Sequence, residues 1–247
     1  MSTLVQGMTL ILEWLFNLSS TIGLPYWGVA IILFTVIIKL LLYPLTVKQI
    51  VSMRKITELQ PKVRDIQKKY GYDKQKMNQK IMELYSKEKA NPYSGCLPLL
   101  VQIPILYIFY RSLFELTARA SNDPSFHFLG FNITETYGLT LDYHLLLPIV
   151  AGVTTYLMTK VSMANSPKPE MNPMNNKKNN VAASAEQTQK IMLYIMPLFM
   201  AYIVISLPSG LGIYIVTMNI VSILQTIYIY KVLFKREEKK AKLNTEQ

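Results

Sequence analysis

A single cation, Lys39, lies inside the apolar run from Trp27 to Val47, a stretch long enough to cross a bilayer. A charge near the middle of such a run costs about 2.5–3.5 kcal/mol to insert, so it must face protein or water rather than lipid. Polar side chains recur around it at helical spacing. In the same run Thr35, Lys39 and Thr46 fall within about 40° of one another in helical projection, with Tyr43 beside them. In a later run Tyr214, Asn219, Ser222, Gln225 and Thr226 share an arc of about 140°, and Gln102 lies in a third. The chemistry these residues offer is solvation rather than bond-making. One positive charge and several hydrogen-bonding groups would line a wet cavity inside an apolar layer.

Blander readings stand beside this one. Lys39 could snorkel to a membrane surface, although its side chain is biased toward the helix N-terminus, the opposite way. Asn219 and Gln225 could tie helices together, at about 0.6 kcal/mol per contact, rather than touch a client molecule. A third reading makes Lys39 the binding site of a small anion transporter or channel. Catalysis finds less support. The sequence has no His-Glu-x-x-His, no Gly-rich phosphate loop and no Gly-x-Ser-x-Gly. His127 and His144 fall in a polar segment or at its apolar border, and Arg111 with Glu115 is an i,i+4 pair of structural type. With one cysteine, Cys96, neither an intrachain disulfide nor a cysteine-based metal site can form. The sequence therefore predicts no enzyme, no metal and no cofactor.

The elements that must hold the polar arc are apolar and segmented. The 247 residues are 51% hydrophobic yet carry a net charge of +11, and the two properties are segregated along the chain. Five runs read as spans, roughly 27–47, 96–117, 143–163, 190–207 and 210–230. Thr154, Thr155 and Lys160 dilute the third. Segment 48–91 carries twelve Lys or Arg, 160–190 carries five and 231–247 carries six. Segments 1–26 and 118–142 carry only Arg119. The positive-inside rule then predicts the N-terminus outside and the C-terminus in the cytoplasm, which an odd number of crossings satisfies.

Residues 3–19 read as an amphipathic helix in the outer interface, with Leu4, Met8, Ile11, Leu12, Leu15 and Leu18 on one face and Gln6, Thr9, Glu13 and Asn17 opposite. The first 38 residues contain no Lys or Arg, so a signal peptide, with its basic start, is not expected there; an early lipoprotein cysteine is absent as well. Residues 48–90 predict a cytoplasmic helical hairpin. Ile56, Leu59, Val63, Ile66 and Tyr70 form one seam, Asp73 caps the second helix, and Met77, Ile81 and Leu84 complete the packing. Pro61 predicts a kink in the first helix. Residues 164–188 read as a Pro/Asn-rich disordered linker and 233–247 as a mobile basic tail. Pro44, Pro98, Pro104, Pro148 and Pro197 lie within spans, and each removes a helical hydrogen bond. Pro44 frees the carbonyl of Leu40, next to Lys39.

Asn91-Pro-Tyr-Ser-Gly-Cys-Leu-Pro-Leu-Leu-Val-Gln-Ile-Pro-Ile105 resembles the second core span of the YidC/Oxa/Alb family of membrane protein insertases. Gln189-Lys-Ile-Met-Leu-Tyr-Ile-Met-Pro197, Pro208-Ser-Gly-Leu-Gly-Ile-Tyr-Ile-Val-Thr-Met-Asn219 with Gln225, Pro44-Leu45-Thr46 and Leu59-Gln-Pro-Lys62 fit the same family. The resemblance covers about residues 20–232 and is of the short Gram-positive type. It implies an all-α membrane protein with five spans around a hydrophilic groove, open to cytoplasm and lipid, and a cytoplasmic helical hairpin. It implies a plasma-membrane location, nascent membrane proteins as clients, and the ribosome, the Sec translocon and anionic lipid as partners, with no sequence-specific nucleic-acid binding. In such a groove Lys39 occupies a position usually held by arginine; lysine keeps the charge and loses the planar donor fork. Thr35 matches a client-contacting position. Ile215 stands where an aromatic is usual, with Tyr214 retained beside it. Thr46, Gln102, Asn219, Ser222 and Gln225 would complete the lining.

Overall fold

A computed structural model describes residues 2–91, 97–119, 123–139, 142–164 and 191–234. The linker after Ala164, Cys96, and the tail from residue 235 lie outside the described residues. The described chain is mostly helical. Helix α1 spans Ser2–Thr21, α2 Trp27–Leu41, α3 Tyr43–Glu58, α4 Gln60–Tyr70, α5 Lys74–Lys87, α6 Leu97–Arg119 and α7 Leu146–Ala164. A π-helical turn, Ile191–Ile195, leads into α8, Met196–Ser206, and α9 is Ser209–Ile229. Tyr143–Ala164 and Ser209–Val232 are each long and apolar enough to cross a membrane; α2 and α3 pass the same test only as a pair, bent by 59°. Leu193–Ser206 is a shorter apolar helix.

Helix α9 is the centre of the packing. It lies against α7 and α2, α8 packs on α7, and α1 covers α2 and α6. Two aromatic columns fill the interior. Phe16, Trp27 and Phe126 stack with ring centres 4.4 and 5.4 Å apart. Phe34, Phe109 and Tyr214 stack at 5.8 and 5.0 Å. Stacked pairs of this kind add roughly 0.5–1.5 kcal/mol beyond their area burial.

Helix α1 departs from the expected facing. Its buried stripe is Val5, Thr9, Leu12, Leu15 and Ser19, whereas Leu4, Ile11 and Leu18 are exposed together with Trp14. Thr9 was expected on the polar face. Its hydroxyl donates to the Val5 carbonyl, and Ser19 does the same to Phe16, so neither hydroxyl needs water. Small side chains there let α1 approach α6, where Ser112 Oγ donates to Val5 O. The remaining apolar face is left uncovered by the described residues.

The segment from Asp123 to Gly138 sits on one end of the bundle. His127–Phe128 (β1) and Phe131–Asn132 (β2) pair antiparallel across a two-residue turn, Leu129–Gly130, with φ of 53° and 86°. Both positions need left-handed backbone, as a primed hairpin turn demands. The segment then caps α9: Ser209 N–H donates to Glu135 O at 2.9 Å and Gly210 N–H to Ile133 O at 2.8 Å. These carbonyls satisfy donors that a helix start otherwise leaves open. At this end Ser209 through Ile215 are all buried. At the other end of α2, Leu40 and Leu41 are 61% and 71% exposed, while α9 keeps Ser222, Gln225, Thr226 and Ile229 buried.

Helices α4 and α5 pack on each other across the Gly71–Asp73 turn. Leu59 breaks the helix just before Pro61, and Leu59 and Val63 are the hairpin's buried centre. Asp73 accepts from Lys76 N–H at 3.0 Å and starts α5. Helix α5 ends with Lys89 at φ 51° and Ala90 N–H returning to Tyr85 O at 2.8 Å. Lys62 reaches across to Glu88 at 2.6 Å.

Two outcomes follow from this architecture. A methyl group at Gly210 would lie 2.9 Å from the Ile133 carbonyl, main chain that cannot rotate away. Gly210→Ala should lower the thermal stability of the purified protein by about 1–3 kcal/mol. The Lys62 hydrogen bond and charge hold the Glu88 carboxyl below its ordinary value of 4.5. The stabilisation it gives is therefore complete above that value and is lost as pH falls through the lowered one. Hydrogen-exchange protection of α4 and α5 should drop in that acid window, and Glu88→Gln should remove the pH dependence.

Candidate functional site

The polar arc is distributed over α2, α3, α6 and α9. Thr35 sits one turn before Lys39 and is 1% exposed, its hydroxyl donating to Ile31 O at 2.7 Å. Lys39 is half-buried, and among the described residues its ammonium makes no salt bridge. Leu42 then interrupts the helix, as the proline two residues on predicts. Pro44 is in the first turn of α3, where a missing N–H costs nothing. Thr46 Oγ1 donates to Leu42 O at 3.1 Å, across the start of α3.

Gln102 and Tyr214 meet. The Gln102 amide donates to the Tyr214 hydroxyl, joining α6 to α9, while the Tyr214 ring stacks on Phe109. Gln102 is half-buried and Tyr214 buried. Ile215, beside it, packs into the hydrophobic core. One turn on, Asn219 is 2% exposed and points at α7. Its Nδ2 donates to Thr155 Oγ1 at 2.8 Å and to Thr154 Oγ1 at 3.2 Å. This is the interhelical hydrogen bonding anticipated as one of its two readings. Ser222 is buried and donates to Met218 O at 2.7 Å. Gln225 is buried and donates through Nε2 to the main-chain carbonyl of Lys39 at 2.9 Å. Its Oε1 is also buried, with no partner among the described residues.

The structure thus brings together Lys39 with Gln225, and Gln102 with Tyr214. Thr35, Thr46 and Ser222 spend their hydroxyls on their own helices. Two contributors escaped the sequence reading. Thr154 and Thr155 looked like diluents of a span and are the acceptors for Asn219. Phe109 had no polar mark, yet its ring is the wall on which Tyr214 stands. An adjacent Thr pair in an apolar run is the one signal that could have pointed to the first. Among the described residues no group of His, Cys, Asp and Glu could hold a metal ion.

A sequence model of the family described as "60Kd inner membrane protein" matches residues 17–237. The chain belongs to this family, which is the YidC/Oxa family. Among its similar relatives is membrane protein insertase YidC of Anaeromyxobacter dehalogenans, 34% identical over 89% of this chain and 35% of its own length. Membrane protein insertase YidC of Helicobacter pylori is 33% identical over 92% of this chain and 36% of its own length. Membrane protein insertase YidC 2 of Listeria innocua is 34% identical over 93% of this chain and 73% of its own length. The chain therefore spans about a third of the first two relatives and nearly three quarters of the third. All three YidC relatives are named for insertion rather than for a catalysed reaction.

The Asn219 contact yields a quantitative expectation for this YidC-family chain. In a double-mutant cycle, Asn219→Leu and Thr155→Val should couple by about 0.6 kcal/mol and by no more than about 1.7. Equilibrium unfolding in detergent reads the coupling; additive effects would mean that the bond does not hold α7 to α9.

Proposed function

We propose that this chain is a membrane protein insertase and folding chaperone of the bacterial plasma membrane. Its five spans are the bent unit α2 with the start of α3, then α6, α7, α8 with its π turn, and α9. They place the N-terminus outside and the C-terminus in the cytoplasm. Between them runs a hydrophilic groove, open to cytoplasm and lipid, with the half-buried Lys39, Thr46 and Gln102 at its surface and the buried Thr35, Tyr214, Ile215, Asn219, Ser222 and Gln225 as the wall behind them. The observation that carries this reading is a half-buried lysine without a salt bridge among the described residues, followed on its helix by two exposed leucines, Leu40 and Leu41. Membership of the family and the names of the relatives support it.

A nascent chain's short, polar, often acidic tail enters from the cytoplasm. Lys39 attracts its carboxylates. The half-buried Gln102 offers hydrogen bonds in place of lost water. The dry distance shortens, and the adjoining apolar segment moves sideways into lipid, where its own transfer free energy drives the step. The hairpin α4–α5 and the basic tail receive the client and meet the ribosome, the Sec translocon or anionic headgroups through non-specific charge. The rival reading, an anion transporter using Lys39, needs a second opening through the end where Ser209 to Ile215 and the Asp123–Gly138 segment pack together.

Purified protein reconstituted alone in liposomes tests the proposal with a single-span client bearing an acidic tail. Lys39→Ala should cut insertion about tenfold or more, in line with the cost of an unaided charge in the membrane. Lys39→Arg should retain it, and removing the client's carboxylates should make Lys39→Ala harmless. Undiminished insertion by Lys39→Ala of the acidic client would overturn the role of the charge.

A further inference from the structure

We propose that Gln225 is a positioning residue of the Lys39 site: its amide caps the main-chain carbonyl that the break after α2 leaves open, and so fixes where the lysine is rooted. In an unbroken helix the carbonyl of Lys39 would receive the N–H of Tyr43. Here α2 ends at Leu41, Leu42 leaves helical geometry at ψ 0°, and α3 begins at Tyr43. The main-chain bonds that straddle the break run from Leu42 N to Ile38 O at 2.9 Å and from Thr46 N to Leu42 O at 3.0 Å. Among the described residues none reaches the Lys39 carbonyl. Pro44 has no N–H with which to continue the ladder.

Gln225 supplies the missing donor from 186 residues away in sequence. It is 7% exposed, so the bond is shielded from competing water. The orientation of its amide is fixed by chemistry: the flipped amide would set two acceptor oxygens against each other. Its other end, Oε1, has no partner among the described residues that would choose this orientation for another reason. A buried donor–acceptor pair of this kind stabilises one geometry of the break. The Lys39 side chain springs from that same residue. Its ammonium can be held at one depth only if its backbone is.

This inference rests on the proposed insertase reading for its functional arm and is independent of it for its structural arm. The structural arm uses the full chain in lipid nanodiscs without client. Cysteines replace Leu24 and Val51, two exposed positions on either side of the break, in a Cys96→Ser background, and carry spin labels. Val51 lies about 13 Å beyond Leu42 along α3, so a change of roughly 15° in the bend moves its label about 3 Å. Gln225→Met keeps the length and loses the donor. It should shift or broaden the measured distance by about that amount. Gln225→His keeps an N–H donor and should stay near the parent distribution. Pro44→Ala returns an N–H to the ladder and lets Tyr43 answer Lys39, so Gln225→Met should have no effect in that background. An unchanged distribution in Gln225→Met, or an equal change with and without Pro44→Ala, would overturn the capping role.

In the insertion assay with the acidic client, Gln225→Met should lower the yield roughly threefold to tenfold, the range a single hydrogen bond commands. It should add nothing further to Lys39→Ala. Full insertion despite an altered distance would show that the cap does not position the lysine. Full insertion by Lys39→Ala would instead sink the functional reading and leave the distance result standing.

Discussion

A main-chain carbonyl stripped of its helical partner inside an apolar layer must be answered by some other part of the protein. That obligation organises this molecule. Pro44 and Leu42 break the first long apolar helix next to its lone charge, and the answering group comes from Gln225, near the far end of α9. The same rule governs the side chains. Thr9, Thr35, Thr154, Thr155, Thr217 and Ser222 all return their hydroxyls to a carbonyl three or four residues back. So satisfied, they can be buried where a sequence pattern would expose them. Asn219 has too many polar atoms for that solution and needs a second helix, which α7 supplies.

Burial is dense where the Asp123–Gly138 segment caps α9, whereas on α2 the residues next to the break, Leu40 and Leu41, are exposed. A bundle packed uniformly would gain more apolar contact, at about 25 cal/mol per Å² of surface removed from water. Leaving this face of α2 uncovered by the described residues forgoes that stabilisation. The chain carries there a lysine that a tight core could not accept without a partner. In a family of inner membrane proteins whose relatives are named insertases, the proposed groove gives the uneven packing a purpose.

Much of this was legible in the residues because the relevant physics is local. The heptad seam through Leu59 and Val63, the Asp73 cap and the interruption at Pro44 each depend on neighbours within a few positions. So did the arc holding Asn219, Ser222 and Gln225, which one helix sets by its own pitch. What could not be read depended on contacts across the chain. The buried face of α1 turned toward Thr9 and Ser19 because Ser112 and the α6 backbone came close, a fact no periodicity encodes. The Leu129–Gly130 turn was hidden by a leucine in a conformation that side chain rarely adopts. Phe109 and the Thr154–Thr155 pair gained their roles only from what faced them.

The angle between α2 and α3 has a mechanical meaning as well. Helix α3 has 16 residues, a stiff arm of about 24 Å that joins the break to the hairpin. Rocking of roughly 10° at Leu42 would sweep the far tip of that arm through about 4 Å. A displacement of the hairpin is thus reduced to a small turn beside Lys39, and a small turn there is enlarged at the hairpin. One jointed rod would then couple the proposed receiving hairpin to the proposed groove.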